Sequence, residues 1–334
     1  MILVSNSCAG ESLERKHGKT IMETARYAGI DVARDKCDFA LEDRTAAIFE
    51  QTAAGFGKAI AWLTRHRVTH VVLEPSGGYE KRLAEALTQA GLLVCRVSPH
   101  QARAFAKAKG VQAKTDALDA RLLAAFGRVL EPPPRQPPDA QTAALAEIVR
   151  RRRQIVDFLT EEHTRREQTH DAAVTAMIDA HIAMLKSQLA VIDKTIAEKI
   201  AACPAMAEKQ EVLQAVPGVG KVTAAVLLAE MPELGALDAK QAAALAGLAP
   251  YNRDSGKSSK KASVRGGRPG VRCALYMASV SAVRHNGDIK AFYQRLRGQG
   301  KPAKVAMIAA ARKLIVILNA KLRDACPKTA PAAS

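Results

Sequence analysis

Four acidic residues carry the chemistry this chain is best equipped to do. They are Asp31 in Tyr27-Ala-Gly-Ile-Asp-Val, Glu74 in His70-Val-Val-Leu-Glu-Pro, and Asp116 and Asp119 in Lys114-Thr-Asp-Ala-Leu-Asp-Ala. The chain has 50 Lys and Arg against 33 Asp and Glu, a formal net charge of +17. Carboxylates gathered in so basic a protein call for a positive partner. Two divalent ions, Mg²⁺ or Mn²⁺, about 4 Å apart on carboxylate oxygens, would clamp the attacking and leaving oxygens of a phosphodiester. Asp116 and Asp119 are three residues apart, hence on one face of a helix. Each acid taken singly is an ordinary solvated charge. Their meaning lies in where the elements put them.

A second constellation is Gly247-Leu-Ala-Pro-Tyr-Asn-Arg-Asp-Ser-Gly-Lys, followed by Ser258-Ser-Lys-Lys-Ala-Ser-Val-Arg-Gly-Gly-Arg-Pro-Gly-Val-Arg. Residues 251–272 hold seven Lys and Arg (Arg253, Lys257, Lys260, Lys261, Arg265, Arg268, Arg272) against one Asp, which predicts a phosphate-binding loop. Ser255 precedes Gly256, where the backbone can approach a ligand closely. A serine among guanidinium and ammonium groups is a candidate nucleophile at phosphorus, since those charges favour its alkoxide and the transition state. A basic Ser/Gly loop that only touches DNA has the same composition. Ser258, Ser259 and Ser263 crowd the same stretch. A third feature, Val216-Pro-Gly-Val-Gly-Lys-Val-Thr, resembles the turn of a helix-hairpin-helix. Gly218 and Gly220 would let backbone amides and Lys221 meet a DNA phosphate at a helix start, or the turn is purely structural.

The elements that must position these groups are legible from periodicity. Tyr27–Val32, Cys37–Leu41 and Ala46–Phe49 read as three antiparallel strands. A helix over Gly57–His66, a buried parallel strand over His70–Leu73, a helix over Tyr79–Ala90, a strand over Leu92–Val97 and a helical stretch from Pro99 to Leu130 follow. That order predicts an α/β, ribonuclease-H-like domain over residues 25–130, with Asp31 on its first strand and Glu74 at the C-terminal end of the neighbouring one. Open α/β sheets gather their active sites at that end. Residues 1–24 read as a flexible leader. The proline cluster at 131–138 reads as a linker.

Residues 139–203 have helical apolar spacing and neither Gly nor Pro from Asp139 to Ala202. They predict one helix of about 95 Å or a hairpin of two, in either case a coiled-coil oligomerisation segment. Residues 204–325 read as a mainly α C-terminal domain holding the glycine hairpin, helices Val222–Glu230 and Ala239–Ala246, the basic loop, and helices through Ser281 and from Pro302 to Ala325. Residues 326–334 read as a disordered tail.

Bulk composition narrows the partners. The positive balance points to a polyanion. Aromatic residues are only 4% of the chain, which argues for phosphate and helix-shape contacts over base stacking. The six cysteines are scattered, with no C-x-x-C pair, so the sequence predicts neither disulfides nor zinc, and no histidine is assigned a metal. No signal pattern or apolar run near 18 residues occurs, so secretion and membrane insertion are not expected, and a reduced cytosolic compartment is the expected place.

With these motifs in view, the stretch from Tyr27 to about Ala325 resembles the DEDD-type insertion-sequence transposases. Their N-terminal domain is like the Holliday-junction resolvase RuvC, and the pilin-gene invertases are their relatives. The resemblance rests on Gly-Ile-Asp-Val, Leu-Glu-Pro-Ser-Gly, Lys-Thr-Asp-Ala-Leu-Asp-Ala, Val-Pro-Gly-Val-Gly, and Gly-Leu-Ala-Pro followed by Asp-Ser-Gly-Lys. It implies that Asp31, Glu74, Asp116 and Asp119 bind metal and that Ser255 is the nucleophile. It further implies a covalent phosphoserine intermediate, with the acids of one subunit meeting the serine of another. Donor and target double-stranded DNA, a structured guide (bridge) RNA, and a dimer assembling to a tetramer complete the implied system. Two rival readings are a metal-dependent junction endonuclease in which water attacks, and a non-catalytic nucleic-acid-binding protein.

Overall fold

A computed structural model describes residues 25–110, 116–135, 137–255 and 258–326; the leader 1–24, Lys257 and the tail from Pro327 lie outside the described residues. The chain forms two compact units that divide between Pro137 and Pro138.

The first unit is a mixed sheet with helices on both faces. Strands β1 (Tyr27–Val32), β2 (Lys36–Leu41) and β3 (Ala46–Glu50) form an antiparallel meander. Helix α1 (Ala53–Arg65) leads to β4 (His70–Leu73), helix α2 (Glu80–Gln89) to β5 (Leu93–Arg96), and α3 (Pro99–Ala108) and α4 (Asp116–Leu130) follow. Sheet order is β3-β2-β1-β4-β5, with β4 parallel to β1 and β5 parallel to β4. Strand alternation divides the side chains. Ala28, Ile30, Val32, Cys37, Phe39, Leu41, Val71 and Leu73 bury one face beneath α1 and α2, while Tyr27, Val72, Cys95 and Val97 pack with Leu123 and Phe126 of α4 on the other.

The expected strands are present within a residue or two of their predicted ends. Helix α1 begins four residues earlier than periodicity indicated, because Thr52 caps it by accepting from the Gly55 amide. The helical stretch from Pro99 to Leu130 is two helices, with residues 111–115 outside the description.

The second unit is helical apart from one hairpin. Helices α5 (Ala140–Gln168) and α6 (Ala172–Ala201) run antiparallel, as the Arg152–Asp193 and Arg166–Asp179 ion pairs require, and so resolve the expected hairpin alternative. Asp139 and Asp171 cap their N-termini. Ile155, Leu159, Ile182 and Leu185 form a cluster of their own. Leu145, Val149, Ile196 and Ile200 instead join the core built by α7 (Pro204–Gln214), α8 (Lys221–Glu230), α9 (Ala239–Leu245), α10 (Pro269–His285), α11 (Gly287–Gly298) and α12 (Ala303–Ala325). The 139–203 segment therefore shares a core with the C-terminal helices, where the sequence suggested a separate piece.

The predicted basic loop is also different in kind. It is an antiparallel hairpin of β6 (Pro250–Ser255) and β7 (Ser258–Val264). Periodicity missed it because the sequence of these strands carries no apolar alternation.

Candidate active site

The acid-bearing ends of β1 and β4 are level with each other. Ile30 pairs with Leu73 in the parallel ladder, and Asp31 and Glu74 are the next residues on each strand, both half-buried. Alternation puts both on the face that α4 covers. Helix α4 lies directly on β1, and Gly29 is the reason. A Cβ at Gly29 would stand 1.9 Å from the Ala120 carbonyl oxygen and 2.4 Å from the Ala124 amide nitrogen. Those are backbone atoms, which cannot step aside. The missing methyl lets the helix descend, and Asp119, one residue before Ala120, comes with it to the Asp31 end of the strand. The Asp116 backbone opens the same helix; its side chain lies outside the described residues.

The structure adds three residues that sequence reasoning missed. Asp38 on β2 is directly opposite Asp31 in the antiparallel register, is buried, and pairs with Lys36 at 3.1 Å. A buried carboxylate beside a second one needs a cation near it, and Lys36 supplies one. Gln51 donates from Nε2 to the Ala33 and Tyr79 carbonyls, at 3.3 and 3.0 Å. It thereby ties the chain leaving Asp31 to the chain leaving Glu74. Glu80, buried, accepts from the Ser76 and Gly78 amides, at 3.1 and 3.0 Å, and fixes the loop that follows Glu74. Only the Lys36-x-Asp38 alternation next to Asp31 was a sequence-level signal. The other two roles depend on loop geometry.

Burial, with Asp38 and Asp31 nearby, pushes the Cys37 thiol up to about 12 from an ordinary 9.0. Burial alone pushes Cys95 to about 11. Neither thiol is a nucleophile near neutral pH.

In the second unit, Ser255 ends β6 and pairs across the ladder with Ser258, so it sits at the tip of the hairpin; Arg253 pairs with Lys260. The side chains of Arg253, Ser255, Lys260 and Lys261 lie outside the described residues. Arg265 is exposed and lies over the Tyr251 ring at 5.2 Å.

Two of the expected phosphate contacts have internal partners instead. Arg268 donates both terminal nitrogens to Glu233, at 2.6 and 2.7 Å, and one of them to the Glu230 carbonyl. Arg272 donates to the Gly266 carbonyl at 2.8 Å and the Gly247 carbonyl at 3.4 Å. These guanidiniums close the base of the hairpin, a structural role that the sequence did not show.

The glycine turn divides likewise. Gly218 has φ +103°, and a Cβ there would stand 2.6 Å from Ala282 of α10, so its need for glycine is structural. Gly220 has open space around it and caps α8, whose first N–H groups lack intrahelical acceptors beside Lys221.

A mixed sheet with acids at adjoining strand ends, a helix lowered onto them, and a basic hairpin in a helical unit fit a nucleic-acid enzyme. The comparisons agree. A family model described as a transposase, the DEDD model of the IS110 group, matches residues 28–175. The model described as "Transposase IS116/IS110/IS902 family" matches residues 210–294. The chain is 31% identical over 313 residues to the "Pilin gene-inverting protein" of Moraxella bovis, covering 90% of this chain and 97% of that one. The same figures hold for its counterpart in Moraxella lacunata. It is 31% identical over 163 residues to the "Insertion element IS110 uncharacterized 43.6 kDa protein" of Streptomyces coelicolor, 47% of this chain and 40% of that one.

The chain belongs to the IS110/IS116 family of DEDD transposases, recombinases of insertion sequences that cut and rejoin DNA. Such a family implies dependence on divalent metal. The donor chemistry fits: Asp31, Glu74 and Asp119 offer hard carboxylate oxygens, and the close approach at Gly29 brings the Asp119 end of α4 to the Asp31 end of β1. Among the described residues, no group of three or more His, Cys, Asp or Glu is placed to hold an ion. No helix among those residues is long and apolar enough to cross a membrane.

Proposed function

We propose that this protein exchanges DNA strands through a serine ester, with the RuvC-like acid centre and Ser255 working together, the acids of one subunit meeting the serine of another. The observation that carries the reading is Ser255 at the tip of a basic hairpin whose base is clamped by Arg268 and Arg272. That arrangement presents a nucleophile on an arm with a fixed root. The Ser255 hydroxyl loses its proton and its Oγ bonds to phosphorus. One P–O bond of the DNA breaks, and the departing DNA oxygen takes up a proton. A hydroxyl of the second DNA then attacks the phosphoserine, forms the new P–O bond, and returns the serine. One phosphodiester is exchanged for another through an ester of similar energy, so no nucleotide hydrolysis is needed.

Asp31, Glu74, Asp116 and Asp119 would hold the metal, Mg²⁺ or Mn²⁺ and two ions in this reading. When bound, the ions stabilise the charge that builds on the phosphate oxygens. Asp38, Gln51 and Glu80 keep the acids in place. Gly220, Lys221, Arg253, Lys257, Lys260, Lys261 and Arg265 grip donor and target DNA.

Met177, Met184 and Val191 are exposed on α6 at seven-residue intervals, which supports coiled-coil pairing of copies into a dimer and then a tetramer. A guide RNA transcribed from beside the gene would set the sites. Recovery of that RNA with the purified protein is the expected result, and recombination by protein free of RNA would remove this part of the reading.

Ser255→Ala is the central test. The covalent protein–DNA adduct seen on denaturing gels with wild type is expected to vanish. Metal-dependent cleavage persisting in that variant would instead establish the junction-endonuclease reading.

A further inference from the structure

A groove runs along the outer side of α4 in the first unit, enclosing about 330 Å³. Lys109, Arg121 and Arg128 line it with Glu42, over a floor that includes Leu118 and Leu122. The charges are three cations against one carboxylate, and Glu42 is already taken by Arg128 at 2.6 Å. Arg121 is the informative residue. Its Nε is shut off from solvent and has no hydrogen-bond partner in the protein. A guanidinium N–H buried without an acceptor is costly, and a turn of the Arg121 side chain toward an anionic oxygen in the groove would supply one.

The groove extends from Leu118 to Arg128, ten residues of one helix, or about 15 Å. The helix is shared with the acid centre: Asp119 stands at the same end as Leu118, and Arg128 lies toward the opposite end of β1, beside Glu42.

We propose that this groove holds the phosphodiester backbone of the nucleic-acid strand on which the acid centre acts, as that strand leaves the centre. The assignment rests on the strand-exchange reading above. An apolar floor with cations along the sides suits a backbone held by phosphate contacts.

The test measures affinity of the full-length protein, free of divalent metal, for fluorescent single-stranded DNA, duplex DNA and RNA of one sequence, across a salt series. Lys109→Gln with Arg128→Gln removes two exposed cations at little risk to folding. Arg121→Gln removes the half-buried one, with thermal melting as its folding control. Each lost contact is expected to weaken binding several-fold and to lower the slope of log affinity against log salt by about 0.7 on single strands and about 0.9 on duplex. A loss on the DNA probes, alone or with an equal loss on RNA, supports the groove, and a loss confined to RNA would overturn it.

Lys58→Gln, an exposed cation on α1, is the control and is expected to leave the slope unchanged. Wild-type affinity and slope in the folded Lys109/Arg128 and Arg121 variants would overturn the proposal. Asp119→Asn separates the two readings: it is expected to keep the salt slope while losing strand exchange. If exchange survived in Asp119→Asn, the acid-centre reading would fall and the groove result would stand.

Discussion

The acid centre and the basic hairpin solve opposite problems. The carboxylates of the first unit are half-buried between a sheet and a helix that touch backbone to backbone at Gly29, and Asp38 beside them is buried. The hairpin of the second unit is fixed at its root by Arg268 and Arg272. Groups that hold a metal and a reacting phosphate must be set within a fraction of an ångström, which requires a packed scaffold. Groups that grip a polyanion need reach and charge, which a projecting ladder supplies. In the proposed reading the packed scaffold serves the chemistry and the basic hairpin serves the grip on DNA.

The most severe way to break that contrast is Asp116→Asn combined with Asp119→Asn. Loss of metal assistance is worth several kcal/mol, so strand exchange is expected to fall by about 10³-fold or more. Melting and DNA affinity stay near wild type; a loss of binding in parallel would mean that the acids shape the DNA surface as well.

Next in size is Gly29→Ala. Its methyl meets the Ala120 carbonyl and the Ala124 amide, and overpacking against backbone costs about 1–3 kcal/mol or more. Calorimetry is expected to show a lowered transition for the first unit and an unchanged one for the second. An undisturbed first transition would show that α4 can lift off β1 cheaply.

Within the second unit, the root and the arm of the hairpin separate by readout. Lys260→Gln with Lys261→Gln is expected to reduce the salt slope of duplex binding by about 2, with stability unchanged. Arg268→Ala is expected to do the reverse: about 1 kcal/mol of stability is lost with the Glu233 pair and the slope stays put. Equal effects on the slope would restore Arg268 to the DNA surface.

The smallest effect is chemical silence. Native protein treated with iodoacetamide at pH 8 is expected to carry label on exposed Cys273 and none on buried Cys37 or Cys95. The Cys37 thiol ionises near 9.0 when unfolded and near 12 when folded, so it favours the folded state below pH 9 and that contribution is lost as pH rises through this window. Rapid labelling of Cys37 at pH 8 would mean that the sheet opens beside Asp31.

Much of the first unit was legible because short apolar runs bounded by turns leave little choice of element, and Asp31 and Glu74 stand at strand ends that the pattern locates. The β6–β7 hairpin was read as a loop, since its Lys- and Ser-rich sequence has no apolar alternation to read. Helix α11 was not foreseen: Ile289 is its one fully buried residue, and its packing on α10 and α12 holds it. Arg268 and Arg272 counted as phosphate contacts by composition, because charge alone does not reveal that Glu233 and two carbonyls are waiting for them.

The sequence by itself determined the residue types, the order of the elements, the basic balance and the positions of the four acids and Ser255. Only the tertiary structure decided that Asp38 faces Asp31, that Gln51 and Glu80 pin the two acid-bearing strand exits, that two arginines serve the fold, and that three cations share a groove along α4. Local periodicity reports which face a side chain prefers. Strand register and the close approach of α4 at Gly29 decide which side chains from distant parts of the chain actually meet.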